Sequence, residues 1–132
     1  MSQRIPEKHS ILIVDDHHII RKTLRQWLYG VYPGATIVEA SSGEEALSVM
    51  ADNPVQLVLM DLHLPGMNGI EAVRAIKANN PDTYVVMLTV QEGQHYRTTA
   101  AKAGANAYVV KRQMYEDLIP AISGIMEGSS GK

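Results

Sequence analysis

Five short runs of apolar and β-branched residues recur along this chain, separated by longer stretches with helical spacing, and that alternation narrows the folds open to it. The runs are ILIV (11–14), ATIVEA (35–40), VQLVLM (55–60), TYVVML (83–88) and AYVV (107–110). Strands this continuously apolar need cover on both faces. Between them, Ile20, Leu24 and Leu28 fall at i, i+4 and i+8. Ala46 and Met50 follow SSGEEA, where Ser42 and Glu45 predict a capping box. Ile70, Val73 and Ile76 stripe a third helix, and Leu118, Ile119, Ile122 and Met126 a last one. The stretch 94–103, QHYRTTAAKA, has helix propensity but a poor apolar face, so it is expected to be the loosest element.

Strict βα alternation predicts an α/β fold with a parallel sheet and right-handed crossovers. The specific expectation is a (βα)5, flavodoxin-like, doubly wound five-stranded parallel sheet with strand order 2-1-3-4-5. A length of 132 residues suits one domain that buries roughly two-thirds of its unfolded surface. Residues 1–9 read as a leader, 10–127 as the domain, and the Gly/Ser-rich 128–132 as a linker or expression tail. A net charge of -2 with dispersed acids and bases is no electrostatic footprint for nucleic acid. The absence of cysteine excludes disulfides, thiolate metal sites and a cysteine nucleophile, and fits a cytoplasmic location. No apolar stretch reaches membrane-spanning length, so no membrane partner is expected. Met50, Met60, Met67, Met87 and Met126 fit core filling.

Chemistry-bearing residues follow four of the five runs. ILIV leads to Asp15-Asp16, VQLVLM to Asp61, VVML to Thr89 and AYVV to Lys111. In a parallel sheet these are neighbours on the carboxyl rim, where doubly wound folds bind ligands. Three carboxylates crowded together repel one another unless a cation neutralises them. All-oxygen ligation suits Mg2+. With Lys111 as a fixed positive charge and Thr89 as a hydroxyl donor, the set is equipped to hold a phosphoryl group. Asp61, alone before the loop shaped by Pro65, Gly66 and Gly69, is the natural nucleophile for an acyl phosphate. Each residue also has a plainer reading. Asp15-Asp16 can serve as helix-capping acids, Asp61 and Thr89 as strand ends, and Lys111 as a solvated charge. The pair His17-His18 is set aside as a metal site, since adjacent histidines at a helix start rarely ligate together.

The set Asp15-Asp16, Asp61, Thr89, Tyr108 and Lys111 resembles the receiver domain of two-component response regulators, over about residues 9–127. The resemblance rests on ILIVDDHHIIRKTL, LVLMDLHLPGMNGIEAV, VVMLT and AGANAYVVK, and the pattern is most similar to receivers that precede helix-turn-helix DNA-binding domains. It implies phosphorylation of Asp61 by a sensor histidine kinase or phosphotransfer protein. It also implies Mg2+ held by Asp16, Asp61 and the His63 backbone carbonyl, with Asp15 acting through water. Lys111 would pair with the acyl phosphate, Thr89 would close on its oxygen, and Tyr108 would be the switch aromatic. His63 and Gln91 hold positions that tune hydrolysis. The implied protein is a signalling switch with self-catalysed phosphotransfer rather than a turnover enzyme. Homodimerisation on phosphorylation would follow, with DNA reached only through an output domain outside this chain.

Two departures from the family's pattern stand out. Arg112 follows Lys111 where a proline preceded by a cis peptide is usual, which implies either a differently shaped trans loop or stored strain. Val90 follows Thr89 where a smaller residue is common, which narrows access. The competing readings are a stand-alone receiver, a phosphate-independent pseudo-receiver, an aspartyl phosphohydrolase and a nucleotide-binding module. A phosphohydrolase wants a second acid two residues after the nucleophile, where this chain has His63. A nucleotide site wants a phosphate-cradling loop after the first strand, where this chain has two carboxylates.

Overall fold

The computed structural model describes residues 10–130, with side chains through Met126. Five strands alternate with five helices: β1 (Ser10–Val14), α1 (His18–Val31), β2 (Thr36–Ala40), α2 (Gly43–Asp52), β3 (Leu57–Met60), α3 (Gly69–Asn79), β4 (Tyr84–Thr89), α4 (Gln94–Ala103), β5 (Ala107–Val110) and α5 (Met114–Ser130). All pairings are parallel and the order is β2-β1-β3-β4-β5, as expected. The expected runs differ from the strands only at their ends. β2 and β3 begin one and two residues late, and β4 takes in Thr89, which pairs with Val110. α5 runs to Ser130, so its backbone includes the first residues of the stretch read as a tail. The leader 1–9 and residues 131–132 lie outside the described residues.

Strand alternation splits the core in two. Leu12, Val14, Val58, Met60, Val85 and Met87 face α2, α3 and α4. Ile11, Ile13, Leu57, Leu59, Val86 and Leu88 face α1 and α5. Both sides of each central strand are therefore dry, which is why the runs read as continuously apolar. The helical stripes point where their spacing put them, with Leu24, Leu28, Val73, Ile76, Leu118 and Ile122 all essentially buried. Trp27 meets Tyr115 edge-on, ring centroids 4.9 Å apart, joining α1 to α5. Met50, Met60, Met87 and Met126 are buried and Met67 packs against the core, so all five methionines fill space.

The capping chemistry differs from expectation. Ser42 does cap α2, accepting the Glu45 N–H at 3.1 Å. The Glu45 carboxylate, however, takes the N–H and hydroxyl of Ser41 rather than closing the box on Ser42. The complete box forms on α3. There the Asn68 side chain accepts the Glu71 N–H, and Glu71 accepts the Asn68 N–H in return.

That cap and two glycines set the loop after β3. Gly66 adopts φ 71°, a left-handed conformation that an L side chain resists. Gly69 is needed for a different reason. A Cβ there would stand 2.2 Å from the Asp61 carbonyl oxygen and 2.8 Å from the Leu62 Cα, so α3 starts in contact with the backbone that carries Asp61. Gly69→Ala is expected to destabilise the protein by about 3 kcal/mol, since rigid backbone must move. Gly30→Ala, with nothing within 4 Å of the new methyl, should gain up to about 1 kcal/mol in helix propensity. Urea unfolding midpoints of the two variants test both; a tolerated Gly69→Ala would break the packing argument.

Candidate functional site

The carboxyl ends of β1, β3, β4 and β5 bring Asp15, Asp61, Thr89 and Lys111 to one rim of the sheet. Asp15 is held from behind as well as in front. The Arg21 guanidinium donates to the Asp15 backbone carbonyl at 2.6 Å and to Glu39 Oε1 at 2.9 Å, and Arg25 donates to Glu39 Oε2. This lattice ties α1 to β2 beside the end of β1. The trace it leaves in the sequence is Glu39 itself, an acid inside the otherwise apolar ATIVEA.

Lys111 is the centre of the site. Its Nζ donates to Asp15 Oδ2 at 2.6 Å and to Asp61 Oδ2 at 3.2 Å, bridging carboxylates from two strands. The residues after it form a short 3-10 turn, Lys111–Gln113, and no described peptide bond is cis. The trans alternative for the Lys111-Arg112 loop is therefore the observed one. Arg112 faces outward and makes a two-pronged pair with Glu92, at 2.7 and 2.8 Å, joining the β5–α5 turn to the β4–α4 loop. Sequence reasoning flagged Arg112 as a departure but missed its partner, because nothing marks Glu92, twenty residues earlier, as facing it.

Burial pushes the Asp61 carboxyl above its ordinary range; the Lys111 charge pulls it back, the Asp15 charge adds to the rise, and hydrogen bonds from Lys111 and the His63 backbone N–H pull it down. Burial alone would lower Lys111, but the bond to Asp15 and the charges of Asp61 and Asp15 outweigh it, so the ammonium is held above its ordinary value.

Asp16 stands at the exposed mouth. Beside it is His17, whose Nδ1 lies 2.9 Å from Asp15 Oδ1 and 3.1 Å from Asp16 Oδ1. Asp15, Asp16, His17 and Asp61 each offer one donor atom, and these atoms lie within 4.8 Å of one another. Among the described residues this donor set fits a divalent cation, with three carboxylates to neutralise and a nitrogen in addition. The expected metal residues Asp15, Asp16 and Asp61 are thus brought together, along with the histidine that had been set aside. His63 is exposed and meets Tyr96 edge-on at 6.4 Å, beside a cleft of about 220 Å³ between the β3–α3 loop and α4.

Thr89 is fully buried, and its Oγ1 accepts the Gln91 N–H at 3.4 Å. The Gln91 carbonyl in turn accepts the Tyr108 hydroxyl at 2.8 Å. Arg97 of α4 lies over the Tyr108 ring, 4.8 Å from its centroid. Gln91 therefore joins Thr89 to Tyr108 through its backbone. Val90, between them, is 62% exposed at the mouth.

A family model for the response regulator receiver domain matches residues 11–123. The chain belongs to the response regulator receiver domain family. The receiver is 39% identical over 109 residues to the uncharacterised transcriptional regulatory protein YhcZ of Bacillus subtilis, covering 83% of this chain and 51% of that protein. It is 34% identical over 119 residues to the response regulator UvrY of Escherichia coli, covering 90% and 55%. The chain spans about half the length of these curated relatives. Among solved structures it is similar to a LuxR-family two-component response regulator from Aurantimonas, with 35% identity, TM-score 0.84, and coverage of 92% and 86% of the two chains. It is also similar to a CheY-like receiver from Methanospirillum hungatei, with 27% identity, TM-score 0.85, and coverage of 94% and 98%. The receiver is thus a two-component module related to transcription regulators. No helix among its described residues is long and apolar enough to cross a membrane.

The raised Asp61 carboxyl has a stability consequence. Between the ordinary value of 3.8 and its higher folded value, the folded receiver binds more protons than the unfolded chain. Stability therefore falls as pH rises through that window, and the penalty stands in full above it. Asp61→Asn is expected to be more stable than wild type at neutral pH without divalent ions. Urea midpoints should show that advantage shrinking as pH is lowered through the window. A less stable variant at neutral pH would mean that the attraction to Lys111 outweighs burial.

Proposed function

We propose that this receiver is a switch operated by phosphorylation of Asp61. The observation that carries this reading is the Lys111 ammonium shared between Asp61 and Asp15, which leaves a nucleophilic carboxylate beside a fixed positive charge and an acidic, metal-suited mouth. An Asp61 carboxylate oxygen would attack phosphorus, the P–N bond of a phosphohistidine on a sensor kinase or phosphotransfer protein would break with its electron pair passing to that nitrogen, and the histidine would leave as a neutral imidazole that keeps the proton already on its other ring nitrogen. Asp16, Asp61 and the His63 carbonyl would hold Mg2+ directly, and Asp15 through water. When bound, the ion neutralises the carboxylates and the charge of the transferring phosphoryl oxygens. Lys111 would then trade its contact with Asp61 for a phosphoryl oxygen, and Thr89 would supply a hydroxyl hydrogen bond to another.

A Thr89 hydroxyl drawn toward phosphate gives up its 3.4 Å contact with Gln91 N–H, and the Gln91 carbonyl holds Tyr108. The phosphoryl group would thereby bias the face formed by α4, β5 and α5, by as much as it binds the two arrangements differently. His63 and Gln91, with Val90 at the mouth, would set how readily water reaches the phosphate. The domain is then a cytoplasmic signalling switch that catalyses its own phosphotransfer and dephosphorylation. Relatives named as transcriptional regulators support an output in transcription, with DNA contacted by a separate domain and homodimerisation following phosphorylation.

Intact mass after incubation with acetyl phosphate tests this directly. Wild type with Mg2+ should gain one phosphoryl group, while wild type without Mg2+ and Asp61→Asn should gain none. Labelling that persists in Asp61→Asn would refute the assignment. Beryllofluoride, a stand-in for the phosphoryl group, should shift the amide resonances of Thr89, Gln91 and Tyr108; an unchanged spectrum would leave a phosphate-independent binding module instead.

A further inference from the structure

We infer that His17 is a further ligand of the acidic site, one that shifts its preference from Mg2+ toward first-row transition ions such as Mn2+. The inference rests on the reading that Asp15, Asp16 and Asp61 hold a divalent ion, and it deepens that reading by naming a nitrogen donor.

His17 occupies the N-cap of α1, yet its side chain makes no capping hydrogen bond. The ring is directed instead at the carboxylates. Its Nδ1 is nearly equidistant from oxygens of two different acids, 2.9 Å from Asp15 Oδ1 and 3.1 Å from Asp16 Oδ1. Donors about 2.1 Å from a common ion and at right angles to one another stand about 3.0 Å apart. The 3.1 Å spacing to Asp16 Oδ1 is therefore the edge expected between two donors of a six-coordinate centre, with the Asp61 oxygen inside the same 4.8 Å group, while the 2.9 Å approach to Asp15 Oδ1 is a hydrogen-bond contact to the acid that would act through water.

The backbone also anchors the residue beside the acids. The His17 N–H donates to Asp15 Oδ1 at 2.8 Å, while Lys111 takes Oδ2 of the same carboxylate. Asp15 is thus held at both oxygens, and His17 is anchored to it through its own amide. With 65% of its side chain exposed, His17 gives up little hydration on binding an ion. As a neutral ligand it would keep its proton on Nε2 and offer the Nδ1 lone pair. Imidazole nitrogen suits transition ions, whereas Mg2+ prefers oxygen and keeps its waters, so the same residue favours one class over the other.

Pulsed EPR of the Mn2+ complex of the whole chain tests the inference. The wild-type spectrum should carry modulation from a directly bound imidazole nitrogen, retained in His18→Phe and absent in His17→Phe. By calorimetry, His17→Phe should weaken Mn2+ about tenfold or more while Mg2+ affinity changes by no more than about threefold. Far-ultraviolet circular dichroism checks that the variant is folded, and His17→Gln repeats the comparison if it is not. Mn2+ bound without nitrogen modulation, or bound more tightly by His17→Phe, would show that the ring only hydrogen-bonds to the acids and would overturn the inference. No Mn2+ or Mg2+ binding by wild type would overturn the metal reading along with it.

Discussion

Two carboxylates from separate strands lie almost fully buried at the sheet rim, and a single ammonium lets them coexist there. Asp15 and Asp61 come from β1 and β3, and Lys111 from the end of β5 reaches both. An uncompensated buried carboxylate costs several kcal/mol, and two side by side would force one to take up a proton. The central strands, the crossovers and the turn after β5 all serve to deliver that ammonium to that point. The compensation is incomplete, since Asp61 still titrates above its ordinary range. A site left short of positive charge is one that a cation can complete, and the donor set at its mouth is of that kind.

The fold was legible because its constraints are local and periodic. Runs buried on both faces and stripes at helical spacing can be read without knowing what they touch; the alternation gave the parallel sheet, and the strand order 2-1-3-4-5 came from its likeness to flavodoxin-like folds. The candidate site was legible for the same reason: Asp15, Asp61, Thr89 and Lys111 sit at strand ends, and topology alone makes those ends neighbours. What could not be read depends on side-chain direction. The Glu45 carboxylate chose Ser41 over Ser42, and nothing in SSGEEA separates the two. His17 looked like half of an unpromising pair until the helix start turned its ring toward the acids and away from capping. Pro120, an ordinary breaker signal, sits inside α5 on its exposed side, where the packing of Leu118, Ile122 and Met126 outweighs one lost backbone bond.

Arg112 shows how a departure from a family pattern can be absorbed. Its main chain continues into a 3-10 turn that still places Lys111 over the acids. Its side chain then does something proline has no means to do. Through the two-pronged pair with Glu92 it fastens the β5–α5 turn to the β4–α4 loop. Both groups are exposed, so the pair adds more to geometry than to stability. Its position matters because Glu92 adjoins Gln91, whose backbone joins Thr89 to Tyr108. The β4–α4 loop is thereby held at two points, to the β5–α5 turn through the exposed ion pair and to β5 itself through the half-buried Tyr108 hydroxyl.

That coupling explains why α4 can be poorly packed without the site losing its shape. Only Ala100 and Ala103 of α4 are fully buried, both small, and its remaining anchors are Tyr96 against the core and Arg97 over Tyr108. An element with so little apolar area in the core has a low free-energy cost of displacement. β4, in contrast, is buried from Val85 through Thr89, so its end is a fixed point. In the proposed switch, force applied at Thr89 therefore meets a rigid strand on one side and a loosely held helix on the other. The structure yields on the loose side, and Tyr108 and Arg97 lie along that path. A small displacement of one hydroxyl can thus become a change in the exposed face of α4, because stiffness is distributed so unevenly around it.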